Sequence, residues 1–216
     1  MIKLYCIPPS LYSAKVRLVL RAKALPFEDV LAPGGYGSDA YKALVAVGTL
    51  PAIDHDGFLL ADSEAINEYL NDAFPEPPMW PEDVRARAEA RALSRFHDTR
   101  LEPSLRALFR HVDPAGRDGA FIASQVEVIA ERLAQFARIA RPAPLLTGGT
   151  LSLCDCGYAI TLEMLGQLDA AMDLGIVLPE TVARYRDALR KHPVVAAELS
   201  SYRPALAAWV RAETGG

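Results

Sequence analysis

The chain has little cysteine, no surplus of positive charge and no long apolar run, and each lack excludes a class of protein. Three cysteines, Cys6, Cys154 and Cys156, are odd in number and form no CxxC pair. They do not make a disulfide framework, and Cys154 and Cys156, two apart on a helix, face different ways and are a poor metal pair. Reduced, mostly buried thiols in a cytoplasmic protein are expected, with no metal. A formal charge of −4 leaves no excess cations to displace counterions from phosphates, so no nucleic-acid partner is expected. No stretch is apolar for long enough to span a bilayer. Met1-Ile2-Lys3-Leu4-Tyr5 goes straight into a strand pattern without the regions of a signal peptide, so neither membrane nor secretion is expected.

About half of the 216 residues are apolar and roughly a quarter are charged, a globular composition with room for one large domain or two small ones. The first third alternates between short segments. Lys3 to Ile7 reads as a strand, Ser13 to Ala24 as a helix, Phe27 to Leu31 as a strand, and Pro33 to Ser38 as a loop on turn chemistry. Asp39 to Val45 follows as a short helix. Ala52 to Asp54 and Phe58 to Ala61 pair as a hairpin around His55-Asp56-Gly57, and Ser63 to Phe74 closes the unit as a helix. This order predicts a small α/β sandwich. Pro75-Glu76-Pro77-Pro78-Met79-Trp80-Pro81 is the clearest boundary, since prolines cannot continue a helix and favour an extended linker.

Everything beyond that boundary reads as helix. Asp83 to Val112 is periodic, with a break expected near residue 100 because Pro103 interrupts it. Phe121 to Ile139, Ser152 to Gly166, Pro179 to His192, Val194 to Glu198 and a segment around Trp209 follow. Ser152-Leu153-Cys154-Asp155 matches a capping box. The predicted architecture is α/β followed by an all-helical bundle: domain 1-80, a linker about 75-82, and domain 83-216.

Three pieces of the first domain could carry chemistry. In the first, Ser10 stands ahead of a helix after two prolines, where unpaired N–H groups and the positive dipole end favour an anion. A thiol with pKa near ~8.5 is mostly protonated at neutral pH, and only its thiolate is a good nucleophile. A hydroxyl donating to sulfur stabilises that thiolate, by about 1.5–3 kcal/mol for a charge-assisted bond. The competing reading is a plain helix cap. The second piece is Gly48-Thr49-Leu50-Pro51-Ala52-Ile53. A cis Leu50-Pro51 bond would free the Leu50 N–H and C=O to pair with a bound peptide as an added strand; a trans proline would only open a strand. The third is Asp62-Ser63, with Ser63 read as the N-cap of the following helix.

In order and spacing these pieces resemble the glutathione transferase superfamily over nearly the whole chain. The resemblance is greatest to serine-type members, including the zeta and tau classes, where a serine stands five positions before a Lys/Arg-Val-Arg segment. Here Ser10 precedes Lys15-Val16-Arg17. Tyrosine-type classes place their catalytic residue at the end of the first strand, where this chain has Cys6. Tyr5 is one residue off that register, on the opposite face. Ser13 is a second candidate for the catalytic hydroxyl.

The resemblance implies a thioredoxin-like domain followed by a helical bundle. It also implies a glutathione site at Thr49, Leu50, Pro51, Asp62 and Ser63, in which Ser63 takes the γ-glutamyl carboxylate and Asp62 faces its amine. Relatives carry Asn-Pro where this chain has Val45 and Ala46, and a lysine or glutamine in place of Thr49. Glutathione is the implied co-substrate, a small electrophile the second, and a homodimer the implied assembly. The second-substrate pocket is expected between the domains, with Tyr12, Arg106, Phe109 and Arg110 as its candidates. His97 with Arg100, and Arg106 with Arg110, are each expected to share a helix face, either as a positive wall or as a solvated face paired with Asp98 and Glu102. The implied activity is glutathione transfer. The alternatives are a glutathione-dependent isomerase or dehalogenase, and a non-catalytic binding protein.

Overall fold

Short strands separated by turns build the first unit, Met1–Met79, of the computed structural model, which describes residues 1–215. Its elements are β1 (Ile2–Tyr5), α1 (Leu11–Ala22), β2 (Phe27–Val30), α2 (Asp39–Lys42), β3 (Ala52–His55), β4 (Phe58–Ala61) and α3 (Ser63–Ala73). The sheet runs β2-β1-β3-β4, with β1 parallel to β2 and β3 antiparallel to both β1 and β4. Leu4, Val16, Leu18, Leu20, Ile53, Ile66 and Leu70 are fully buried and form the core. This is the thioredoxin-like arrangement. The proline-rich segment is tied to this unit rather than loose. The Lys23 ammonium donates to the carbonyls of Phe74 (2.7 Å) and Pro77 (2.8 Å), and the Met79 N–H donates to Asn71 Oδ1 (3.0 Å).

The second unit, from Trp80 on, is helical: α4 (Val84–Phe96), α5 (Glu102–Arg106), α6 (Gly119–Ile139), α7 (Leu153–Met172), α8 (Glu180–Lys191) and α9 (Pro193–Thr214). Among the described residues no helix is long and apolar enough to cross a membrane.

The break near residue 100 takes the form of a π-helical turn, His97–Leu101, between α4 and α5. Pro103 has no N–H to give the preceding turn, and the Glu102 N–H reaches back five residues to the His97 carbonyl instead. That extra residue rotates the faces. His97 is buried and Arg100 is exposed, so the two do not share a face as a regular helix would make them. Regular α-helix also stops at Arg106. Arg110 sits in a short 3₁₀ turn, Phe109–His111, so the i, i+4 relation expected of Arg106 and Arg110 does not hold.

Two helix boundaries differ from expectation. α7 runs past Gly166, carrying Leu168 and Met172 on its buried face, and stops where Asp173 turns left-handed at φ 53°. Val194–Glu198 and the Trp209 segment are one helix, α9, in spite of Pro204. Val195, Leu199, Tyr202, Leu206 and Val210 make an unbroken apolar stripe along it, and that packing outweighs one missing hydrogen bond.

α7 is the axis of the second unit, with nearly every residue from Leu153 to Leu165 buried. Its buried polar residues are partnered. Thr161 Oγ1 bonds His97 Nε2 at 2.6 Å, and Glu163 pairs with Arg190 and, at 2.8 Å, with Arg203. Burial pushes the Glu163 carboxyl up, but the two guanidiniums outweigh it and hold it below its usual range. His97 also meets Asp98 Oδ1 at 2.7 Å and lies flat against Gly157, where an added Cβ would stand 2.6 Å from the ring. Both ring nitrogens are held, so the ring cannot retreat. Gly157→Ala is therefore expected to destabilise the second unit by about 1–3 kcal/mol through overpacking. A urea transition within 0.5 kcal/mol of wild type would contradict this close approach.

Candidate functional site

Strand register brings the three chemical pieces of the first unit to one place. Tyr5 pairs with Ala52, and Ala52 pairs with Ala61. The chain leaving β1 towards Ser10, the chain entering β3 through Leu50-Pro51, and the chain leaving β4 into Asp62-Ser63 thus lie at the same end of the sheet. In open α/β sheets ligands bind beyond the strand ends where connections diverge.

At the first piece, Pro8 and Pro9 exclude helix, and the chain turns through a bond from the Ser10 N–H to the Ile7 carbonyl (3.1 Å). Ser10 is half-buried and is the N-cap of α1; its Oγ accepts from the Ser13 N–H at 3.2 Å. The cap reading therefore holds, and it leaves the hydroxyl proton unused, because an oxygen that accepts one N–H still has its own O–H to give. Beside it, the Leu11 N–H has no acceptor among the described residues. A hydroxyl donor, a backbone donor and a 12-residue helix dipole together favour an anion here.

The neighbouring candidates are placed elsewhere. Ser13 is fully buried. Tyr5 packs on the Tyr41 ring, centroids 5.7 Å apart, in a satellite cluster with Ala32 and Val45. Cys6 is buried, and that burial, with the Asp29 carboxylate nearby, pushes its thiol up to about 12, so it does not ionise at neutral pH. All three cysteines are free and buried.

At the second piece the Leu50-Pro51 bond is cis. Leu50 is half-buried, and among the described residues its backbone N–H and C=O make no hydrogen bond. The loop ahead of it is pinned. Gly48 lies at φ 69° and donates to the Val45 carbonyl at 2.7 Å, while the Tyr41 hydroxyl donates to the Thr49 carbonyl at 3.2 Å. Thr49 itself is exposed.

At the third piece the assignment of the cap is corrected. Asp62, not Ser63, is the N-cap of α3. Its Oδ1 accepts from the N–H groups of Glu64 (3.0 Å) and Ala65 (3.1 Å), and it adopts the left-handed value φ 78°. The two-carbon arm of aspartate suits this bond, and the single cap position cannot hold both residues. Ser63 is thereby relieved of capping. Its hydroxyl makes no hydrogen bond among the described residues, at the first turn of the helix where anions are favoured.

The second-substrate candidates are divided between the two units. Tyr12 belongs to the first unit, with the Lys15 ammonium 5.9 Å from its ring centre. In the second unit, Arg106 is salt-bridged to Glu102 and lies 5.2 Å over the Phe109 ring, which packs on Trp209 at 5.3 Å. Arg110 is exposed and has no partner among the described residues. His97 is committed to helix packing and is no part of a wall. Sequence reading missed the buried ion pair between Lys15 Nζ and Glu64 Oε2, 2.7 Å apart; the only available signal was two opposite charges on the inward faces of α1 and α3.

Comparison with known proteins agrees with this layout. The family profile described as "Glutathione S-transferase, N-terminal domain" matches residues 4–78. Glutathione S-transferase Z2 of Arabidopsis thaliana is 32% identical over 116 residues, 52% of this chain and 52% of its own length. Maleylpyruvate isomerase of Ralstonia is 33% identical over 104 residues, 47% of this chain and 49% of its own. The chain thus matches about half the length of these curated relatives. Among solved structures, the tau class glutathione S-transferase of mango, Mangifera indica, shares the fold with a TM-score of 0.82 at 19% identity, covering 99% of this chain and 98% of its own. Residues 4–78 thus belong to the glutathione S-transferase N-terminal domain family, and the chain as a whole shares the glutathione transferase fold.

Proposed function

We propose that this protein binds glutathione at the shared sheet end and that Ser10 holds the sulfur as a thiolate for attack on a small electrophile. The register that aligns Tyr5, Ala52 and Ala61 is the observation that carries this reading. The unbonded Leu50 N–H and C=O would pair with the cysteinyl backbone, Ser63 and its helix end would take the γ-glutamyl carboxylate, and Asp62 would face the amine. Thr49 and Pro51 flank the peptide. Tyr12, Phe109 and the unpaired Arg110 remain candidates for the second substrate. Arg106 is a weaker one, since Glu102 already offsets its charge.

A second reading is supported by the likeness to the Ralstonia isomerase. The same thiolate adds to an unsaturated substrate and leaves again, so that glutathione is not consumed. Following free thiol during turnover separates the two, since only transfer depletes it.

Binding is tested first. Glutathione should raise the melting temperature by mass action, with a stabilisation of about 2.7 kcal/mol at a hundred times its Kd. Ser63→Ala should reduce that shift while leaving the unliganded melting temperature nearly unchanged, because Asp62 carries the cap. Absence of any shift at millimolar glutathione would refute the site.

A further inference from the structure

We infer that the buried Lys15–Glu64 ion pair is a positioning device that sets the thiol subsite against the carboxylate subsite; the inference rests on the glutathione reading above. Lys15 lies on α1, five residues after Ser10, and Glu64 lies on α3, directly after Ser63. Their side chains meet at 2.7 Å with only 1% and 13% of their surfaces exposed. Both elements are held near the bridge. Ser10 caps α1 through the Ser13 N–H, and Asp62 caps α3 through the N–H of Glu64 itself. The bridge therefore links the second turn of α1 to the first turn of α3, and the N-terminal ends of these helices carry the two hydroxyls assigned to one ligand.

The bridge is not needed to hold α1 on α3. The buried Val16, Leu18, Leu20, Ile66 and Leu70 already supply apolar packing, and a buried ion pair adds little net stability beyond an apolar pair of the same shape. What a short bond between two charges adds is a narrow distance and direction, which apolar contacts leave looser. A tripeptide anchored at Ser63 presents its sulfur to Ser10 only if that separation is kept. Slippage of a few tenths of an ångström lengthens the O–H···S bond and weakens the selection of thiolate over thiol.

The prediction is read on bound glutathione without any electrophile, from the ultraviolet absorbance of the thiolate as pH is raised. Lys15→Met alone leaves a carboxylate buried without its partner and is a poor test, because it can unfold the unit. The double variant Lys15→Met/Glu64→Gln removes both charges. It is expected to fold with a melting temperature near wild type and to raise the thiol pKa of bound glutathione by about one unit, a loss of thiolate at neutral pH of up to about tenfold. Its Kd for glutathione is expected to rise at least about threefold. Lys15→Arg keeps the bridge and should stay within about twofold of wild type on both measures. A folded double variant with unchanged thiol pKa and Kd overturns the inference and leaves the glutathione reading intact. Wild type that fails to bind glutathione overturns both.

Discussion

Replacing Ser10 with alanine is expected to lower turnover at pH 7 by roughly ten- to thirtyfold and to leave glutathione binding nearly unchanged. The variant removes one O–H donor to an anion, about 1.5–3 kcal/mol for a charge-assisted bond, while the Leu11 N–H, the α1 dipole and the peptide contacts remain. A donor to the thiolate holds the bound thiol's pKa down; without it the pKa returns towards ~8.5. The deficit should therefore be largest below neutrality and shrink as pH rises past that value, where solvent deprotonates the thiol unaided. Ser10→Ala also loses the α1 cap, at a cost of about 0.5–2 kcal/mol, so activity is to be measured well below the variant's melting transition. Ser10→Cys should divert the chemistry to thiol exchange, because a protein thiolate attacks glutathione disulfide, forming a mixed disulfide and releasing one glutathione thiolate. A pH–rate profile in Ser10→Ala superimposed on that of wild type would reduce Ser10 to a helix cap. Buried Ser13 and un-ionised Cys6 are poor replacements for it, so catalysis by this end of the sheet would then have to be abandoned.

Replacing Asp155 with alanine should have the largest effect on stability. Its carboxylate accepts from four donors: the Ser152 N–H (2.9 Å), the Ser152 hydroxyl (2.6 Å), the Leu146 N–H (3.1 Å) and the Tyr185 hydroxyl (2.7 Å). It therefore starts α7, fixes the loop before it and ties both to α8. Burial pushes the carboxyl up from its usual range against the pull of these donors. Alanine leaves the donors buried without an acceptor, and the expected loss is about 3–5 kcal/mol, a large part of the 5–15 kcal/mol typical of a whole domain. Chemical denaturation followed by helical circular dichroism checks it. Cys154→Ala, one residue away, is the control and should cost less, since its thiol makes a single side-chain hydrogen bond among the described residues, to the Ser152 hydroxyl. A loss below about 1 kcal/mol in Asp155→Ala would show that the box caps the helix without organising the unit.

What the sequence by itself determined was local. Turn dipeptides, helix periodicity and prolines placed the strands and helices of the first unit within about three residues, and the Ser152–Asp155 box and the break before Pro103 were legible for the same reason. Each depends on residues within one or two turns of chain, where capping, φ restriction and side-chain spacing act. Local signals failed where a longer-range stripe overruled them. Gly166 and Glu198 read as helix ends, yet α7 and α9 run through both because their buried faces continue.

The candidate site divides along the same line. Ser10, Leu50-Pro51 and Asp62-Ser63 were identifiable as pieces, but only strand register set them at one end of the sheet, since pairing partners lie tens of residues apart and carry no mark in either strand. The choice of Asp62 over Ser63 as cap turned on a backbone angle that the folded sheet imposes. His97 read as sharing a charged helix face with Arg100, but the π-turn sets it against Gly157 and Thr161. The Lys15–Glu64 pair, 49 residues apart, exists only because α1 and α3 pack their inward faces together, which takes two otherwise ordinary surface charges largely out of water and sets them against each other.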